Sequence, residues 1–77
     1  MNTPHDNVAA VTTLLAAVQV HPMCAKFQDD GAHYLVYYPE GYWPDGARVS
    51  QGMGKAKALT LMIKVMERHW ASNGIHG

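Results

Sequence analysis

The reading turns on one stretch, Asp29-Asp30-Gly31-Ala32-His33-Tyr34-Leu35-Val36-Tyr37-Tyr38-Pro39. Its middle is dense in β-branched and aromatic side chains, which suit a pleated, half-buried surface, and it predicts a strand over 33–38 ended by Pro39. Just upstream, Met23, Ala25 and Phe27 alternate with Cys24, Lys26 and Gln28, the two-residue period of a strand over 23–28. Asp29-Asp30-Gly31 between them has the chemistry of a tight turn, so the two runs are expected to pair as an antiparallel hairpin.

Working outward, a helix is expected on each side. Thr3-Pro4-His5-Asp6 reads as a helix start, with Thr3 as N-cap, Pro4 in the first helical position and Asp6 where a carboxylate meets unbonded N–H groups. Val8, Val11, Leu15 and Val18 recur at helical spacing with Leu14 beside them, giving a helix over 4–20 that stops before Pro22, because proline disfavours helical backbone at His21. After the hairpin, Pro39-Glu40-Gly41-Tyr42-Trp43-Pro44-Asp45-Gly46 is a loop by its prolines and glycines, and a short third strand follows over 47–51. Gly52-Met53-Gly54 leads into a helix over 55–71, with Asn73-Gly74 as its stop signal. Leu59, Met62, Ile63, Met66 and Trp70 share the core side of this helix, and Lys57, Lys64 and Arg68 the opposite side. The order α-β-β-β-α defines a single small α+β domain over 1–77, in which two amphipathic helices cover one face of a three-stranded antiparallel sheet.

Composition bounds the class. A chain of 77 residues with 48% hydrophobic and 16% charged residues is one ordinary globular domain with a thin margin of stability. The single cysteine, Cys24, excludes an internal disulfide, which fits a reducing, cytoplasmic setting. Met1–Asp6 lacks the basic and apolar stretches of a secretory signal, and no run reaches the ~20 apolar residues that span a bilayer, so a soluble protein without a membrane partner is expected. Six Lys plus Arg balance six Asp plus Glu, so no global field draws the chain to nucleic acid. The balance is uneven along the chain. Residues 1–45 hold Lys26 against Asp6, Asp29, Asp30, Glu40 and Asp45, a net −4, while residues 46–77 hold Arg48, Lys55, Lys57, Lys64 and Arg68 against Glu67, a net +4.

Catalytic chemistry finds little footing. His5, His21, His33, His69 and His76 lack the spacing that puts two on one helix face, Cys24 has no neighbouring base, and Asp29-Asp30 before glycine is turn chemistry, so no enzyme, metal or cofactor is expected. Surfaces are more informative. Tyr34, Tyr37, Tyr38, Tyr42 and Trp43 place five of the seven aromatics in ten residues. Tyr34 and Tyr38 share one strand face and Tyr37 the other, so aromatic area is expected on the open sheet face or in the loop, although Trp43 could also fold back to cap the core. The candidate partner-binding set is Tyr34, Tyr38, Tyr42 and Trp43, with Lys57, Lys64 and Arg68 adding charge that any solvated helix face also carries. Gly52-Met53-Gly54-Lys55 brings free N–H groups, a helix dipole end and lysines together, an anion site or a plain turn. It is not a P-loop, which needs glycine where Val49 stands and serine or threonine where Ala56 stands.

Gly31-Ala32-His33 ahead of a strand, then Gly46, then Gly52-Met53-Gly54-Lys55-Ala56-Lys57-Ala58 opening a helix resemble the double-stranded-RNA-binding domain, which has the order α-β-β-β-α. The resemblance implies that His33 enters a minor groove and that Lys55 and Lys57 grip phosphates. Tyr37-Tyr38-Pro39-Glu40 followed by a helix also resembles HicB-type antitoxins, whose partial fold is similar. The expectation is a non-enzymatic interaction protein of inhibitor or adaptor type, as phage and mobile-element accessory proteins often are, docking on a protein partner through an aromatic surface and a basic helix. The alternative is an RNA- or other nucleic-acid-binding module built on His33, Gly54, Lys55 and Lys57. Self-association into a homodimer is compatible with both, since so small a core gains from it.

Overall fold

The computed structural model describes residues 7–74. It contains α1 (Val8–Gln19), β1 (Lys26–Asp29), β2 (His33–Tyr37), β3 (Gly46–Ser50) and α2 (Lys55–Gly74), the expected α-β-β-β-α order. The strands form one antiparallel sheet in the order β1-β2-β3.

Element boundaries differ from the expected ones for local reasons. Asn7 caps α1: its side-chain oxygen accepts from the Ala9 N–H at 2.8 Å and the Ala10 N–H at 3.4 Å. Thr3, Pro4 and Asp6 lie outside the described residues. β1 begins at Lys26 rather than Met23 because His21 organises a turn first. Its carbonyl accepts the Cys24 N–H at 2.9 Å and its Nδ1 accepts the Met23 N–H at 3.1 Å. Met23 is thereby removed from the ladder and is fully buried from the turn instead. β2 ends at Tyr37, one residue before the expected end at Tyr38. β3 ends at Ser50, whose Oγ accepts the Gly52 N–H at 3.1 Å and opens a single 3-10 turn over Gln51–Met53. α2 runs past Ala71 to Gly74.

Register decides which sheet face is covered. Phe27 pairs with Val36, and Tyr34 and Val36 pair with Val49 and Ala47, so these five side chains share one face. α2 lies directly on that face through Leu59, Met62 and Met66, all fully buried. Three strands spaced ~4.8 Å apart make a sheet about as wide as one helix. α1 accordingly packs mainly against α2, through Val11, Leu14, Leu15 and Val18. Trp70, expected on the core side of α2, is 43% exposed, because at that level α2 turns His69 rather than Trp70 toward the sheet. The indole instead meets the His21 ring edge-on at 5.6 Å. Gly46 pairs with Tyr37 where the two backbones approach closely: a β-carbon there would fall inside van der Waals contact of the Val36 carbonyl oxygen.

Candidate functional site

Of the four aromatics expected on a binding surface, two belong to the core. Tyr34 is 1% exposed and Tyr38 6%. β2 is the central strand, and its two-residue period sends Tyr34, Val36 and Tyr38 to the covered face together. Tyr34 stacks on Phe27 with ring centroids 5.8 Å apart. The Tyr38 hydroxyl hydrogen-bonds His69 Nδ1 at 2.8 Å, tying the end of β2 to α2, and burial pushes its phenol up to about 12. Tyr42 is half-buried against the core. Trp43 is 81% exposed, so Tyr42 rather than Trp43 folds back onto the core.

The opposite sheet face is open. Lys26 pairs with Tyr37 and Gln28 with Leu35, while Leu35 and His33 pair with Arg48 and Ser50, which puts all of them on the uncovered side. Leu35 lies at its centre, between Gln28 and Arg48, and Tyr37 follows it at the end of β2. The Tyr37 hydroxyl donates to Gln28 Oε1 at 3.1 Å, and Lys26 Nζ sits 5.6 Å from its ring centroid. Beside Leu35 and Tyr37 lies a shallow notch of about 290 Å³ edged by Gly46, Arg48 and Asp45.

Lys57, Lys64 and Arg68 are exposed on the outer side of α2, as their spacing implies. That side is turned away from the sheet, so the basic stripe and the open sheet face lie on opposite sides of the molecule. A groove of about 470 Å³ runs between α1 and α2 on this outer side, with Ala10, Leu14, Met53 and Leu61 as its apolar lining and Lys57 and Lys64 beside them. α1 brings no charge to it, since Val8–Gln19 contains no ionisable side chain.

His33, Gly54 and Lys55 do come together, at the end of the sheet where β2 begins and α2 starts. Gln51 Nε2 donates to the His33 carbonyl at 3.1 Å, and Gly54 N–H to the Gln51 carbonyl at 3.0 Å. Gly54 has φ 108, which favours glycine. Lys57 points instead into the groove. The same end also carries Asp29, which accepts from Gln51 Nε2, and Asp30, whose carboxylate lies 3.8 Å from the His33 ring. The His33 N–H, with that of Ala32, holds the Asp30 carboxyl below its ordinary range, so it is anionic at neutral pH.

The sequence reading missed the open-face residues Lys26, Leu35, Tyr37 and Arg48 as a group. The available signal was parity, because Val36 shares a face with Tyr34 and Tyr38 and a β-branched aliphatic on a central strand belongs under the helices. Among the described residues, no group of three or more His, Cys, Asp or Glu is placed to hold a metal ion, and no helix is long and apolar enough to cross a membrane. Comparison with known protein families, with curated proteins and with solved structures returns no match to this chain.

Proposed function

We propose that the protein is a non-enzymatic interaction module, of the inhibitor or adaptor kind, that docks on a protein partner through the open face of its sheet. The observation that carries this reading is the composition of that face: Leu35 and Tyr37 lie on the central strand, with the cations Lys26 and Arg48 and the polar groups Gln28 and Ser50 on the strands beside them. An apolar and aromatic centre with a charged, hydrogen-bonding rim is the anatomy of a protein interface, and the two cations select a partner whose facing surface is acidic. Tyr37 combines a large contact area with few rotatable bonds, which suits it to the role of anchor.

Nucleic acid is the weaker reading. The α-β-β-β-α layout is compatible with a double-stranded-RNA-binding fold, but the end that gathers His33, Gly54 and Lys55 also presents Asp29 and Asp30. Two carboxylates there repel the phosphates that such a grip has to hold. A cytoplasmic location fits Cys24, a free thiol whose pKa burial raises above its ordinary value.

The test uses Arg48→Glu and Tyr37→Ala, both at positions outside the core. A partner captured by the wild type is expected to be lost by Tyr37→Ala and to associate more slowly with Arg48→Glu, with circular dichroism unchanged in both. Retention of the partner at wild-type rate and affinity by both variants rules this face out. Salt-sensitive binding of duplex RNA by the wild type would return the assignment to nucleic acid.

A further inference from the structure

The groove between α1 and α2 and the exposed Trp43 are not used by the open sheet face, and their chemistries match. The groove has an apolar lining with Lys57 and Lys64 beside it, and neither lysine has an ion-pair partner among the described residues. The loop presents an indole that is 81% exposed, flanked by the exposed carboxylates Glu40 and Asp45. We propose that two copies of the chain associate, with the Trp43 loop of one copy seated in the α1/α2 groove of the other.

One copy does not make this contact with itself, since its own indole is 81% exposed. The loop follows Tyr38, which is bonded to His69 late in α2, whereas the groove is formed by the first half of that helix. To His69 the helix axis advances roughly 18 Å from Lys57 and roughly 8 Å from Lys64, at 1.5 Å per residue. This separation also suggests how the contact closes. Two copies lying side by side in opposite directions place each loop beside the other's groove, a two-fold arrangement with reciprocal insertions.

The choice of a second copy over a foreign protein rests on charge. The chain itself carries the complementary element, an apolar anchor between two acids, for a site that is an apolar slot beside two bases. Its −4 and +4 halves sum to zero, so copies meet without net repulsion. Two indoles bury roughly 300–500 Å² between them, well below the ~1,600 Å² of a standard interface, so the dimer belongs to the weak class and fills at high concentration.

Sedimentation velocity from about 10 μM to about 1 mM tests the proposal. The wild type is expected to move from monomer toward dimer over this range, less so at high salt. Trp43→Ala and the double variant Lys57→Glu, Lys64→Glu are each expected to stay monomeric while keeping the wild-type circular dichroism. Mixing the two variants in equal amounts should restore association in part, because the intact groove of the first meets the intact loop of the second and one of the two insertions is regained. In a Trp70→Phe background, the emission of Trp43 should shift to shorter wavelength as the protein is concentrated. A wild type that stays monomeric overturns the proposal, as does a Trp43→Ala variant that associates like the wild type or a mixture that associates no more than either variant alone. Should Trp43→Ala lose its fold, Glu40→Lys with Asp45→Lys is the replacement: it should be monomeric alone and pair with the lysine-to-glutamate variant, and failure to pair overturns the proposal equally.

Discussion

Replacing Tyr34 by alanine should cost most of the stability of the domain, whereas replacing Trp43 should cost almost none. Tyr34 is 1% exposed, sits in the central strand opposite Val49, and stacks on Phe27 at 5.8 Å. Truncating a buried aromatic to alanine costs about 3–5 kcal/mol, through lost transfer energy and the cavity left behind. A chain of 77 residues has a total of about 4–12 kcal/mol at ~0.05–0.15 kcal/mol per residue. The substitution therefore removes about a quarter of the stability at the least and all of it at the worst. With a urea slope of about 1 kcal/mol per M for a small domain, the midpoint falls by about 3 M or more. Trp43 is 81% exposed, and its truncation is expected to stay within about 0.5 kcal/mol of wild type. Urea titrations followed by far-UV circular dichroism separate the cases. Equal midpoints for wild type, Tyr34→Ala and Trp43→Ala would refute the assignment of the covered face, and with it the open face that presents Tyr37 and Arg48.

Gly46→Ala is expected to destabilise by about 1–3 kcal/mol, because the new methyl meets the Val36 carbonyl and the β2–β3 ladder has to shift; a thermal melt within a degree of wild type would contradict that close approach. Tyr38 makes stability depend on alkaline pH. Its folded phenol titrates near 12 and an unfolded tyrosine near ~10, so the unfolded chain releases its proton first, and the contribution is full below about pH 10 and lost progressively toward about 12. Tyr38→Phe should flatten that loss while costing about 1 kcal/mol at neutral pH for the bond to His69, and urea midpoints measured across this pH range check both.

The element order was legible because each element carries its own local signal: helical spacing in Val11, Leu15 and Val18, strand chemistry in 33–38, and turn chemistry at Asp29-Asp30-Gly31. The inner side of α2 followed from the same periodicity for Leu59, Met62 and Met66. What local patterning cannot supply is the side of a strand that a distant helix covers. Tyr34 and Tyr37 are equally suited to a strand, and only the register with Phe27 and Val49 and the seating of α2 separate them into core and surface. Trp70 shows the converse limit, since its place on the helical wheel is right but α2 turns His69, one position away, toward the sheet at that level. The groove was hidden for a related reason: Ala10 and Leu14 belong to one helix and Lys57, Leu61 and Lys64 to another, and nothing in either segment announces the pairing.

The groove's two walls are unequally secured. α2 is held by the sheet, but α1 is a helix of 12 residues that packs mainly on α2, and a helix of that length is marginal on its own in water. Local opening is therefore expected to peel α1 away before the strands separate, and each opening abolishes the groove. Whatever occupies the groove binds only the closed form, so occupancy and the seating of α1 reinforce one another by mass action. Amide exchange in Val8–Gln19 then becomes a gauge of occupancy, slowing as the groove fills, while the amides of β2 continue to report the opening of the whole domain.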